Sequence, residues 1–212
     1  EIRNRFFAKY YRIDIRAMPK GSWWDFDHKV FHVLFQMFED FIMIEHGENG
    51  IRGWESSRGD ESADTDAKKY YEALSWFERK FTKRNQLREM FAMEHLDWEI
   101  NLINKPMDSW MTEKYTEHID KQQSDSAKEE LALWKWWKEV YPNRKDPHDT
   151  PELNAYYSGM KFLPLADGCS EMVFDSPRPS AIDEAWKEEN RQYEEDTEMM
   201  IRLCKLRQSL WT

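Results

Sequence analysis

Trp23–His46 reads WWDFDHKVFHVLFQMFEDFIMIEH, and the folding of this stretch decides how the rest of the chain is read. It holds neither glycine nor proline, and its apolar residues return every three or four positions. Phe26, Val30, Val33, Met37, Phe41 and Ile44 make one stripe; Phe31, Leu34, Phe38 and Ile42 make a second beside it. Adjoining stripes of this kind cover more than half of a helical surface, which predicts a helix enclosed by neighbours on several sides. The remaining strip is polar, with Asp25, His28, His32, Gln36 and Glu39 at the same helical spacing. Ser22 or Asp25 is placed to cap the start, and the glycines of His46-Gly47-Glu48-Asn49-Gly50 are placed to end it.

Composition narrows the class around this helix. The 212 residues suit one sizeable core, and the sequence predicts a single α-helical domain over 1–212. Only 40% of residues are apolar, but 11 Trp, 12 Phe and 9 Tyr supply large buried areas. Seven Gly and eight Pro are too few for a turn-rich β architecture. A formal charge of −10 argues against direct nucleic-acid binding, which rests on cationic groups. Cys169 and Cys204 form neither a disulfide framework nor a zinc motif and fit a reducing compartment. No run approaches the length of a membrane span.

The chain then divides by pattern. Residues 1–20 read as a basic, aromatic arm, ended by Pro19-Lys20-Gly21. Residues 47–64, rich in glycine and serine, read as an exposed loop that Trp54 could anchor. From Thr65 to Asn104 the helical period returns, first as Tyr70, Leu74, Phe77 and Phe81, then as Leu87, Met90, Phe91, Leu96, Trp98 and Ile100. One helix or two joined near Thr82–Asn85 fit equally, and Pro106 ends the run. A short helix around Trp110, Met111 and Tyr115 is the most that Asp108–Gln123 suggests. Ser126 with Glu129 forms a capping-box pattern for a helix that Pro142 closes. Residues 142–179 read as irregular. Ser180 with Asp183 starts a last helix, whose expected buried face is Ile182, Trp186, Tyr193, Met200, Cys204 and Trp211. The expected fold is therefore all-α: an irregular bundle of four to five helices with long loops and an aromatic-rich core.

Three constellations offer chemistry. His28 and His32 stand one helical turn apart, with Glu39 on the same face, so both imidazoles can reach one ion. Glu94, His95 and Glu99 would supply further ligands from a second helix, and a divalent ion held there could activate water for hydrolysis. The spacing matches neither di-iron bundles nor the HExxH zinc motif, and the simpler reading of the strip is a polar edge with no cofactor. Trp134, Trp136 and Trp137, followed by Arg144 and Lys145, could present a partner-binding platform, although tryptophans at this density more often build a core. The eight acids between Asp183 and Glu198 could imitate a phosphate backbone or simply face solvent. No P-loop, dinucleotide fingerprint or GxSxG elbow occurs.

EHLDWEINL (Glu94–Leu102), WKWWKEVYPNRKDPHD (Trp134–Asp149) and YEEDTEMMIRLCKLRQSLWT (Tyr193–Thr212) together resemble helical proteins of tailed bacteriophages, as does the Trp23 stretch. PELNAYYSG (Pro151–Gly159) departs from the shorter linker expected after the proline exit. Those proteins have no assigned function, so the resemblance carries over no catalytic residue. It implies a setting, the host bacterial cytoplasm or the virion. The resulting expectation is a non-enzymatic protein that binds protein, whether itself, a virion component or a host factor. The alternatives are a metal-dependent hydrolase using His28, His32 and His95 with nearby carboxylates, and an acidic nucleic-acid mimic that inhibits a host protein.

Overall fold

A computed structural model describes residues 15–18, 25–56, 65–104, 113–166 and 168–207. Residues 1–14 and 19–20 of the expected arm over 1–20, the loop tail 57–64, Trp110, Met111 and residues 208–212 lie outside the described residues. Among the described residues the fold is all-α apart from one hairpin. The chain folds as two compact units, 1–137 with 203–212, and 138–202.

In the first unit, helix α1 spans Phe26–Phe41, with Asp25 in the extended conformation at its N-cap. Its buried face is Phe31, Phe35, Gln36 and Phe38, continued by Ile42. The second sequence stripe is thus largely the core. The first faces outward, with Phe26 76%, Met37 47% and Ile44 48% exposed. Phe35 is completely enclosed. Its ring stacks on Trp137 at 4.9 Å and meets Trp136 at 5.2 Å, while Phe31 meets Trp136 and Trp137 edge-on. Offset and edge-to-face arrangements of this kind suit the ring quadrupoles.

The chain does not leave the helix at Gly47, as the glycines suggest. It widens into π-helical turns over Ile42–Glu48 and resumes as α2, Asn49–Ser56. The expected exposed loop over 47–64 is therefore helical as far as Ser56. Tertiary packing overrides the poor helix propensity of glycine. Gly47 lies against the backbone of Arg88, and Gly50 would place a β-carbon 3.3 Å from that of Phe91.

Arg88 and Phe91 belong to the second half of the 65–104 region, which is broken twice. Thr65 accepts the amide of Lys68 to cap α3, Asp66–Ala73. Leu74 is then extended, and Ser75 with Glu78 caps the next segment reciprocally. Wide turns over Glu78–Thr82 and a break at Lys83 lead into α4, Arg84–Ile100. The two breaks interrupt the expected stripe, leaving Phe77 and Phe81 exposed. Ile51, Ala67, Tyr71, Leu87 and Phe91 form a shared cluster of α2, α3 and α4, with Trp54 packed against it.

Helix α5 runs Glu113–Lys135, so it begins well before the expected Ser126 cap. Ser124 is buried, and its hydroxyl donates to the Ile100 carbonyl at the end of α4. Wide turns continue over Trp136–Val140, and a 3-10 turn containing Pro142 follows.

The second unit corrects the reading of 142–179 as irregular. Thr150 caps α6, Pro151–Ser158, with proline in its first turn. Strands β1, Met160–Pro164, and β2, Ser170–Phe174, form an antiparallel hairpin pairing Met160 with Phe174 and Phe162 with Met172. Gly168 takes φ +84° in the connection, the left-handed region that favours glycine. Helix α7 covers Ala181–Leu206 and begins where Ser180 predicts. Leu153, Tyr156, Ile182 and Ala185 make the core of this unit. Trp186 and Tyr193, expected to be buried, are exposed.

Candidate functional site

The π-helical segment is held against α4 at three consecutive residues. Gly47 permits close backbone approach to Arg88. Glu48, buried, accepts hydrogen bonds from Arg84 and from Arg88 Nε, the latter at 2.7 Å. Burial alone would raise this carboxyl, but the two guanidinium groups prevail and hold it at about 2. His46, one residue before Gly47, stacks its ring on His95 of α4 with centroids 4.6 Å apart.

His95 and Glu99 stand one turn apart on α4, with Nε2 and Oε1 separated by 3.5 Å. Phe41 meets the His46 ring edge-on at 5.1 Å, and Trp98 stacks on His95 at 5.8 Å. Buried Glu130, from α5, places Oε2 3.0 Å from His46 Nε2. His46, His95 and Glu99 each offer a ligand atom within 4.8 Å of the others, the one such group of three among the described residues.

Of the six residues nominated for metal from sequence, only His95 and Glu99 belong to this group. His28 is exposed on α1. His32 packs edge-on against Phe31 and Trp137, and burial followed by the nearby His28 lowers its pKa. Glu39 pairs with Arg16, and Glu94 accepts the amide of Ala67 near the start of α3. His46 escapes sequence reasoning because it reaches the site through the close approach at Gly47, which no local spacing announces.

The nominated platform is also redistributed. Trp134 and Trp136 are buried, and Trp137 is stacked on Phe35, so these rings serve the core. Arg144 pairs with Glu195 and Asp196 inside the second unit. Lys145 is exposed, and its carbonyl accepts Gln192. Within the acidic stretch of α7, Asp183, Glu188, Glu195 and Asp196 meet the cations Arg178, Arg191 and Arg144 of this chain, and Glu189 lies 3.2 Å from the ring nitrogen of His148. Much of the expected phosphate-like charge is thereby answered internally.

One apolar surface that faces solvent is the hairpin. Phe174 stacks on Tyr156 at 4.3 Å and anchors the base. Further out, the cross-strand pair Phe162 and Met172 is 62% and 53% exposed, and Leu163 and Leu165 are exposed beside it. Two strands alone cannot bury such side chains on each other.

Among the described residues no helix is long and apolar enough to cross a membrane. The chain matches no family model, no curated protein and no solved structure.

Proposed function

We propose that this chain works by binding another protein through the hairpin of residues 160–174, with no chemistry of its own at that surface. One observation carries the reading: a two-stranded hairpin whose central cross-strand pair, Phe162 and Met172, remains exposed. Contiguous exposed apolar surface favours association, and a hairpin's outer edges offer unpaired backbone groups to an incoming strand. The −10 formal charge favours a protein surface over a phosphate backbone as the partner. The resemblance of three segments to tailed-phage proteins supports a virion component, a second copy or a host factor as that partner.

The test replaces Phe162 with the photo-crosslinker benzoylphenylalanine, with exposed Glu152 as the control position. Irradiation of the purified chain and of bacteria producing it is expected to give a discrete adduct from position 162. An adduct of twice the chain mass identifies self-association, and any other mass identifies a different partner. Equal labelling from positions 162 and 152 would sink the reading.

A further inference from the structure

We infer that His46, His95 and Glu99 form a binding site for a divalent transition-metal ion. This goes beyond protein binding through the hairpin and does not depend on it. The donor set is the first reason. Two imidazoles with one carboxylate suit Zn2+ and its neighbours, whereas Mg2+ and Ca2+ are held by oxygen alone.

Distance is the second reason. Donors about 2.1 Å from a tetrahedral ion stand roughly 3.4 Å from one another. His95 Nε2 and Glu99 Oε1 already have that spacing, at 3.5 Å. All three donor atoms lie within 4.8 Å of one another, close enough to converge on one ion once the stacked His46 and His95 rings turn toward it.

The surroundings are the third reason. Histidines that hold metals commonly present their other ring nitrogen to a carboxylate, which orients the ring and fixes its tautomer. Glu130 stands in that relation to His46, with Oε2 at 3.0 Å from Nε2 and both side chains almost enclosed. Phe41 and Trp98 flank the paired rings. Glu99 and His95 keep enough exposure for an ion to enter from solvent. Three protein ligands leave the fourth position of a tetrahedral ion to water.

The experiment uses the full chain, treated with chelator and titrated with Zn2+ by calorimetry, with Co2+ absorption as an independent report of the ligand field. About one ion per chain is expected, with micromolar or tighter affinity. His95→Ala and Glu99→Gln should each weaken binding at least tenfold, and Glu130→Gln should weaken it tenfold or more through His46. His28→Ala/His32→Ala should leave it unchanged. Circular dichroism checks that each variant is folded, and the partly exposed positions of His95 and Glu99 make these the decisive variants. No saturable uptake by the wild-type chain, undiminished uptake by the His95→Ala/Glu99→Gln variant, or loss of uptake on replacing His28 and His32 would each overturn the assignment.

Discussion

A β-carbon on Gly47 would stand 2.9 Å from the Cα of Arg88, inside any distance that real β-carbons adopt. The obstacle is backbone, which cannot swing aside as a side chain can. Gly47→Ala is therefore expected to force the π-helical segment off α4 and to cost several kcal/mol, in the range of overpacked cores. Gly50→Ala meets only the Phe91 side chain and should cost less. Gly53 has nothing within 4 Å, so Gly53→Ala should be neutral or stabilise by up to about 1 kcal/mol through helix propensity. Urea denaturation of the three variants checks the order, and equal effects at 47 and 53 would contradict the close approach.

Glu48 answers two guanidinium groups at once, with a further contribution from Arg52 at 3.7 Å. Glu48→Gln removes the charge while keeping the shape, leaving Arg84 and Arg88 facing each other. Loss of one partner from a buried ionic cluster costs about 3 kcal/mol or more. Exposed Asp97 offers a comparison, since Asp97→Ala should stay within roughly 0.5 kcal/mol. Denaturation at neutral pH distinguishes the two.

Glu55 gives the pH dependence a definite sign. The Tyr71 hydroxyl donates to it at 2.7 Å, and this bond outweighs desolvation, with help from Lys80, to hold its carboxyl below the ordinary range. A depressed carboxyl stabilises the fold above its unfolded-state pKa, and the contribution is lost as pH falls through the folded-state value. Tyr71→Phe should thus cost about 1.5–3 kcal/mol at pH 7, the worth of a hydrogen bond to a charged group. The gap between wild type and variant should narrow as pH falls below about 4. Urea midpoints at pH 7 and pH 3 measure it, and a gap that widens in acid would reverse the assignment.

Arg144 and Lys145 are neighbours with opposite expected behaviour. Arg144 is largely enclosed, spans Glu195 and Asp196, and lies 5.4 Å from the centre of the Tyr141 ring. Arg144→Ala leaves two adjacent carboxylates on α7 without that cation and should cost about 2–4 kcal/mol. Lys145→Ala should change stability by no more than about 0.5 kcal/mol. Hydrogen exchange across residues 138–202 would show faster opening for the first variant only.

Much of the fold is legible from periodicity: α1, α4 and α7 fall where apolar residues recur, Ser180 marks a start and Pro142 a stop. Which face is buried is less legible. A helical wheel assumes unbroken phase, and the breaks at Leu74 and Lys83 defeat it for Phe77 and Phe81. The Ser75–Glu78 capping box is a signal of the first break that periodicity alone passes over. The hairpin has its own signal, because Asp167-Gly168 stands between KFLPL and SEMVF, a strong short-range pattern for paired strands. At the metal cluster, the pairing of His95 with Glu99 is written in their spacing. His46 comes from a distant segment whose docking depends on the packing of one glycine, and no local pattern encodes that.

The wide turns over Ile42–Glu48 also set where the chain can change its count of residues. A π-turn closes its hydrogen bond one residue later than an α-turn. Deleting one residue there would let the backbone relax to ordinary α-helix without breaking it. That deletion removes the extra residue the wide turn accommodates, so side chains beyond it keep their direction relative to α1. A deletion within α1 instead turns everything beyond it by about 100°, taking Ile51 out of its cluster or Phe35 away from the tryptophans. The irregular turn is thus a register device, matching a helix built on aromatic rings to one built on close backbone approach.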